Sequence, residues 1–270
     1  IQSADDYQLV VDANRKLKAP FLFAANGRPY LEQFKQKSGI WFHDTREEDN
    51  HPRALISFHS PKGLRELLKR DAAAGNAGLT KEPFDYLKDK NGLSLRDYQI
   101  DVIKKTEVAV HEGKRDALIV MATGTGKTRT AIGLAYRLLK AERFHRVLFL
   151  VDRTALGDQA NGNFTDAKIE NLMTFAQIYD IKGLADQEAE LDTRLHFATV
   201  QGMVQRVFYA DPEDRPSVDT YDCIIVDEAH RGYYLDKELG EEELFYKNQW
   251  DYQSKYRQVL AYFDSMIIAL

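Results

Sequence analysis

The sequence has 270 residues, of which 44% are hydrophobic, and a formal net charge of −5. This length accommodates one large α/β domain and a smaller one, and the apolar fraction can fill both cores. The single cysteine, Cys223, excludes disulfides and thiolate metal sites within the chain. The charge neither demands nor forbids nucleic acid, and no apolar run approaches the length of a bilayer span. Because no initiator methionine or signal peptide is present, we expect an internal piece of a cytoplasmic protein without membrane association.

The first seventy residues indicate a small unit of α/β structure. Residues 20–25 have the composition of a strand, and Asn26-Gly27 is among the strongest short hairpin signals. We therefore expect a second strand over residues 28–31. Pro61, which follows Ser60, predicts a helix, because proline is favoured at the first helical position.

The run AAAGNAG, residues 72–78, is rich in small residues and glycine and is typical of a linker. It divides the chain into three predicted segments. These are an N-terminal domain over residues 1–75, a linker over residues 76–94 and a larger domain over residues 95–270.

From Leu95 onward, strands and helices alternate as a doubly wound sheet requires. Residues 94–97 have capping-box spacing and predict a helix that continues to about His111. The run VLFLV, residues 147–151, has no polar residue and predicts a strand buried on both faces. Further strands are predicted over residues 117–121, 195–200, 222–226 and 265–270, a helix over residues 127–140, and a peripheral strand, helix and loop between residues 164 and 191.

The stretch MATGTGKT, residues 121–128, follows the apolar run ALIV and predicts a phosphate-binding turn. A glycine-rich turn between a strand and a helix directs successive backbone N–H groups inward, and Lys127 adds a positive charge where the β and γ phosphates of ATP would lie. Thr128 would supply a hydroxyl to Mg²⁺. Met121 occupies the place where this pattern usually has its first glycine. The predicted nucleotide-binding residues of the turn are Thr123, Gly124, Thr125, Gly126, Lys127 and Thr128.

The second motif, DEAH at residues 227–230, lies about one hundred residues after this turn and directly follows the apolar run CIIV. Its carboxylates are expected at the carboxyl edge of a parallel sheet, where open α/β sheets bind ligands. Asp227 would hold Mg²⁺, and Glu228 would orient and deprotonate the attacking water, so Glu228, Lys127 and Asp227 are the predicted catalytic residues. A helix N-cap is the alternative for an Asp-Glu pair after a strand, but the presence of MATGTGKT argues against it.

Four further motifs occur in a recognisable order: LRDYQ at residues 95–99, VDR at 151–153, TVQ at 199–201 and DEAH followed by RGY at 231–233. Over residues 95–270 the chain resembles the superfamily 2 helicases and translocases. Within this superfamily, the motifs DEAHRGY and MATGTGKT are similar to those of the motor subunits of type I restriction endonucleases. This resemblance implies a RecA-like P-loop NTPase domain with a mostly parallel sheet.

The resemblance also implies roles for residues outside the phosphate-binding turn. Gln99 would read the adenine edge, with Arg96 close by. The residues that would lie along the DNA are Asp152, Arg153, Thr199 and Gln201. The strand over residues 265–270 would lie between the strand before MATGTGKT and the strand before DEAH.

The N-terminal segment is similar, in FAANGR and GIWF, to the closing strands of the nuclease domain that precedes the motor in such subunits. It would be the C-terminal part of a smaller α/β nuclease-like domain, and no residue of the chain can be assigned to nuclease chemistry. The implied function is ATP-dependent translocation of double-stranded DNA before cleavage, in a complex with modification and specificity subunits. Because a second motor domain with its arginine finger is absent, slow ATP hydrolysis is expected from the chain alone.

Other interpretations stay open. The chain could belong to another superfamily 2 helicase or remodeller, or it could be an ATP-binding nucleic-acid switch without turnover. His43, His51 and His59 recur every eight residues near acidic side chains, but the loop-like sequence around them argues against a metal site. Tyr98 and Phe144 are expected to pack against the sheet, with stacking on a base as the alternative.

Overall fold

The computed structural model describes residues 19–31, 38–46, 50–152, 154–170, 173–186, 188–229 and 249–270. Arg153, His230 and the RGY run at residues 231–233 lie outside these ranges. The chain divides into two compact units. The first comprises residues 1–70 with 217–219 and 262–264, and the second comprises residues 71–216, 220–261 and 265–270.

The first unit is built on a three-stranded antiparallel sheet and one helix. The sheet has the order β1-β2-β3, with β1 at Phe21–Ala25, β2 at Ile40–Asp44 and β3 at Arg53–Leu55, and helix α1 spans Pro61–Lys69. Ser60 caps the helix by accepting a hydrogen bond from the Gly63 amide, as the Ser-Pro pair predicts. Phe42 is fully buried in the core.

The predicted two-residue hairpin at Asn26-Gly27 is wrong. Strand β1 pairs with β2 rather than with residues 28–31, which are not a strand. Pro29 has no amide hydrogen for a ladder. The Asn26 side chain instead accepts from the Arg28 amide, and the Arg28 carbonyl accepts from Gly39. Asn26 and Gly27 therefore follow β1 directly, but the strand that pairs with β1 begins only at Ile40.

The second unit contains a six-stranded, entirely parallel sheet, which confirms the predicted α/β fold class. Its order is β4-β11-β10-β5-β9-β8. The strands are β4 at Asp116–Leu118, β5 at Val147–Val151, β8 at Asp180–Lys182, β9 at Thr193–Thr199, β10 at Cys223–Val226 and β11 at Met266–Ala269. Strand β11 lies between β4 and β10, as predicted. Strands β5 and β10 are buried along their whole length, which explains their apolar sequences.

The remaining elements of this unit are two short paired strands and a set of helices. The paired strands are β6 at Lys168–Glu170 and β7 at Met173–Thr174. The helices are α2 at Ala72–Lys81, α3 at Asp97–His111, α4 at Lys127–Lys140, α5 at Thr154–Asp166, α6 at Phe175–Ile178, α7 at Val200–Val204 and α8 at Gln249–Tyr262, with a 3₁₀ turn at Asp85–Lys88 and a π-helical turn at Gln205–Tyr209.

The stretch AAAGNAG, which is typical of a linker in sequence, forms most of helix α2. Alanine has the highest helix propensity, and the Asp71 side chain caps the helix by accepting from the Ala74 amide. Gly75 is buried, with the Arg143 backbone 2.9 Å from the position that a β-carbon would occupy. The glycines here permit close packing.

The predicted strand before MATGTGKT is shorter and more exposed than its sequence indicates. Strand β4 ends at Leu118, and among the described strands it pairs only with β11. Leu118 is 73% exposed and Val120 is 84% exposed, whereas Ile119 is buried. An apolar run at the edge of a sheet looks the same in sequence as a central strand.

Helix α4 is tied to the preceding segment by Arg137, whose side chain is fully buried. Its guanidinium donates to both carboxylate oxygens of Glu107 and to the carbonyls of Leu79, Glu82 and Pro83. A planar group with five N–H donors can serve all of these acceptors at once. This network fixes α4 against the stretch between α2 and the 3₁₀ turn.

A second buried polar group is His196 on β9, which has no exposed surface. Its Nδ1 accepts from the Tyr221 hydroxyl at 2.7 Å, and its Nε2 lies 3.0 Å from the Asp186 carbonyl. Because a carbonyl can only accept, Nε2 carries a hydrogen. Burial, followed by the charge of Arg206, lowers the pKa of His196 to about 4.

Candidate functional site

The glycine-rich turn lies between β4 and the first residue of α4, as predicted. Gly124 and Gly126 have φ angles of 79° and 82°, a region that favours glycine. A β-carbon at Gly124 would have no atom within 4 Å, so this part of the turn borders open space. Within the turn, the Thr125 amide and hydroxyl both donate to the Ala122 carbonyl, at 3.3 and 2.5 Å. The backbone therefore forms a closed turn between Ala122 and Thr125, and its Gly124 side faces open space.

The second motif lies two strands away from β4, at the carboxyl end of β10. Asp227 follows β10 directly, and its amide donates to the Leu150 carbonyl of β5. Glu228 has a φ of 51°, which is uncommon for a residue with a side chain. Its amide donates to the Asp227 carboxylate at 3.0 Å. This tight turn brings the two carboxyl groups to the sheet edge.

The two motifs meet through one ion pair. The Lys127 ammonium donates to the Glu228 carboxylate at 3.0 Å, across 101 residues of sequence. The two side chains are 19% and 32% exposed, so the pair is partly accessible to solvent. The three residues predicted to be catalytic, Lys127, Asp227 and Glu228, therefore lie close together. Thr128, the other predicted metal ligand, follows Lys127 in the first turn of α4 and is half-buried.

The beginning of α3 lies against the phosphate-binding turn. Gln99 is buried, and its side-chain amide donates to the carbonyls of Thr125 and Gly126 at 3.2 and 3.1 Å. Its Oε1 accepts from the Arg96 amide at 2.8 Å. Both ends of the amide that was predicted to read adenine are thus bound to the protein backbone. Arg96 itself is exposed and is the N-cap residue of α3, so the predicted capping position at Ser94 is wrong, and Ser94 instead has a φ of 49°.

Tyr98 was not identified from the sequence as part of this site. It was expected to pack against the sheet, but it is 41% exposed and its hydroxyl donates to the Thr125 carbonyl at 2.8 Å. Phe144 is buried, as expected. The only sequence signal for Tyr98 was its position beside Gln99.

The residues predicted to lie along DNA follow adjacent strands. Thr199 ends β9, pairs in register with Val151 of β5, and caps α7 by accepting from the Gly202 amide. Asp152 comes directly after β5 and is 6% exposed. Gln201 is half-buried in the first turn of α7. The structure brings Asp152 and Thr199 to one sheet edge, and Arg153 lies outside the described residues.

No group of three or more metal-ligating side chains occurs in the described part of the chain. His59, one of three regularly spaced histidines, instead lies 2.8 Å from the Asp264 carboxylate, which Arg53 also contacts. Mg²⁺ in nucleotide sites is usually held by one or two carboxylates with phosphate oxygens and water, so a site with Asp227 would not form such a group. Among the described helices, none has the length and apolar character needed to cross a bilayer.

A parallel sheet with a glycine-rich turn and an Asp-Glu pair at one edge defines the class of the second unit, which is a RecA-like domain of the helicase type. Residues 92–270 match the family model described as Type III restriction enzyme, res subunit, and residues 2–68 match that of the Type I restriction enzyme EcoKI endonuclease subunit second domain. The chain belongs to the type I restriction endonuclease subunits that carry this helicase-like domain.

Three relatives illustrate the similarity. The chain is 47% identical over 256 residues to the EcoKI endonuclease subunit of Escherichia coli K12, which covers 95% of this chain and 21% of the relative. It is 29% identical over 259 residues to the EcoAI endonuclease subunit of Escherichia coli, covering 94% of this chain and 28% of the relative. A solved subunit fragment of a type I restriction enzyme from Vibrio vulnificus YJ016 aligns with 99% of this chain and 39% of its own, at 21% identity and a TM-score of 0.41. The chain thus spans about a quarter of the length of its curated relatives.

Proposed function

We propose that the second unit binds Mg²⁺ and ATP and is the first motor domain of an ATP-dependent double-stranded DNA translocase within a type I restriction enzyme. The ion pair between Lys127 and Glu228 carries this proposal, because it joins the phosphate-binding turn to the carboxylates of the second motif. The type I endonuclease relatives support the assignment to a restriction complex.

The chain's own groups suit ATP hydrolysis. Lys127 would exchange the Glu228 carboxylate for phosphate oxygens, which leaves Glu228 to accept a proton from water. The water oxygen would bond to the γ phosphorus as the bond from that phosphorus to the β–γ bridging oxygen breaks, so that ADP leaves with the bridging oxygen and phosphate is released. Asp227 would hold Mg²⁺ together with the Thr128 hydroxyl, and bound Mg²⁺ neutralises charge on the phosphates. The open side of the turn at Gly124 leaves room for the phosphates.

The DNA would run along the sheet edge formed by the ends of β5 and β9. The Thr199 hydroxyl accepts one hydrogen bond from the protein, and its hydrogen can be donated to a phosphate oxygen. Gln201 lies two residues further on. Asp152 is buried, so we assign it to the support of this edge and Thr199 and Gln201 to the contact.

The same proposal extends to the rest of the complex. Residues 1–75 would be the C-terminal part of a nuclease-like domain, and modification and specificity subunits would be the partners in the cytoplasm. The partner subunits would supply recognition of the DNA sequence, while this chain would supply movement along DNA.

The nucleotide site is tested by calorimetric titration of the chain with ATP in the presence of Mg²⁺. We expect binding by the parent chain, loss of binding in Lys127→Ala, and unchanged binding in Lys105→Ala, which removes an exposed lysine of α3. The partly exposed pair is worth about 1 kcal/mol at most, so the thermal midpoint of Lys127→Ala should fall by less than about 4 °C. Equal affinity in Lys127→Ala and the parent would exclude this nucleotide site.

The motor function is tested in the longer subunit of which this chain would form a part, assembled with modification and specificity subunits. We expect duplex DNA to stimulate ATP hydrolysis and Glu228→Gln to abolish it while nucleotide binding remains. If Glu228→Gln retained restriction activity, the domain would be an ATP-binding switch. Stimulation of hydrolysis by single-stranded DNA alone would indicate a helicase of another kind.

A further inference from the structure

Two side chains in the first turn of α3 hold one peptide unit of the phosphate-binding turn. The carbonyl of Thr125 accepts from the Tyr98 hydroxyl at 2.8 Å and from the Gln99 amide at 3.2 Å. The next carbonyl, that of Gly126, accepts from Gln99 at 3.1 Å and from the Thr130 amide at 3.0 Å. Both carbonyls therefore point towards α3, and the Gly126 carbonyl also takes part in the first turn of α4.

This arrangement fixes the direction of two amide hydrogens. No cis peptide occurs among the described residues, and in a trans peptide the carbonyl and the following N–H point in opposite directions. The Gly126 amide therefore points away from Tyr98, and the Lys127 amide points away from Gln99. Consecutive N–H groups on one side of a turn at a helix N-terminus are the groups that bind phosphate.

The conformation of Gly126 depends on the same contact. Its φ of 82° favours glycine, and a β-carbon there would lie 2.6 Å from the Gln99 side-chain nitrogen. Gln99 is only 4% exposed, with its oxygen bound to the Arg96 amide. Gln99 thus contacts the buried side of the phosphate-binding turn. Tyr98 is the exposed member of the pair.

We propose that Tyr98 is a positioning residue for polyphosphate binding: its hydrogen bond to the Thr125 carbonyl orients the Gly126 amide towards the phosphates, without contact with the base. This inference rests on the nucleotide site proposed above. Its distinguishing consequence is that the effect of Tyr98 follows the phosphates of the ligand and is independent of adenine.

The test compares two ligands, ATP and inorganic tripolyphosphate, each titrated with Mg²⁺ into the chain. Tyr98→Phe keeps the ring and removes the hydroxyl, so we expect the affinities for both ligands to fall by the same factor, about three- to tenfold for one neutral hydrogen bond. Tyr209→Phe removes the hydroxyl of another exposed tyrosine and is the matched control, with unchanged affinities. The thermal midpoint of Tyr98→Phe should equal that of the control within error, because the hydroxyl is partly exposed.

Each outcome has a defined meaning. Unchanged affinity in Tyr98→Phe would overturn the inference while leaving the nucleotide site intact. Weaker binding of ATP alone would also overturn it and would assign Tyr98 to the base. If the parent chain bound neither ligand, the proposed function would fail, and the inference would fail with it.

Discussion

The buried neutral histidine of β9 predicts a specific loss of stability in mild acid. His196 has a pKa of about 4 in the folded chain, against about 6.5 in an unfolded chain. Between pH 7 and pH 5 the unfolded chain therefore takes up a proton that the folded chain does not bind. A depressed pKa contributes stability that is present above about pH 6.5 and is lost as the pH falls towards 4.

The size of this loss follows from the two pKa values. Between pH 7 and pH 5, the difference in proton uptake corresponds to about 2 kcal/mol of unfolding free energy. The assay is urea unfolding at both pH values, followed by far-UV circular dichroism. This signal reports mainly on the second unit, because α1 is the only described helix that lies wholly in the first unit. The control is His196→Gln, which cannot titrate.

The parent should lose about 2 kcal/mol more than His196→Gln between the two pH values, since the contributions of all other groups cancel in the comparison. The variant itself will be less stable at pH 7 because the Tyr221 hydroxyl loses the imidazole Nδ1 that accepts its hydrogen bond. Equal pH dependence of the two proteins would mean that His196 protonates freely in the folded state. The assignment of a buried, neutral ring would then be refuted.

Two further predictions concern α4 and the phosphate-binding turn. Arg137→Lys keeps the charge, but a lysine ammonium cannot bond to Glu107 and three carbonyls together. The unfolding free energy, measured by urea denaturation, should therefore fall by about 2 to 3 kcal/mol. The control, Arg129→Lys at an exposed position of the same helix, should change it by less than about 0.5 kcal/mol. Gly126→Ala must displace Gln99 and adopt a positive φ, so calorimetry should detect no ATP binding. Its control, Gly162→Ala in the exposed interior of α5, should bind ATP normally and be about 0.5 kcal/mol more stable, because alanine favours helix.

The sequence predicted those parts of the fold in which local pattern and tertiary structure agree. Strands β5 and β10 lack polar residues because both of their faces are covered, and the motif order correctly placed β11 beside β10. The juxtaposition of Lys127 with Glu228 followed from the same reasoning, because parallel strands bring their carboxyl ends to one edge. The binding roles of these residues stay predictions.

The structure shows most that the sequence did not reveal where distant residues decide the outcome. Residues 28–31 bond to the Ser38 hydroxyl and the Gly39 amide rather than to a neighbouring strand, which no short pattern reveals. The AAAGNAG run is helical because Asp71 caps it and Gly75 meets a neighbouring backbone. The engagement of Gln99 with the turn depends on how α3 packs against α4, so the motif located the residue but not its partners.

The position of Cys223 gives experiments on this chain a built-in reporter. It is the only thiol in the sequence, it is fully buried at the start of β10, and burial raises its pKa well above the usual range. A thiol in this state does not react with alkylating reagents until the strand separates from its neighbours. The rate of modification therefore measures opening of the strand that leads to Asp227 and Glu228. A fluorophore attached to a cysteine introduced at the surface would label that position alone while the protein stays folded.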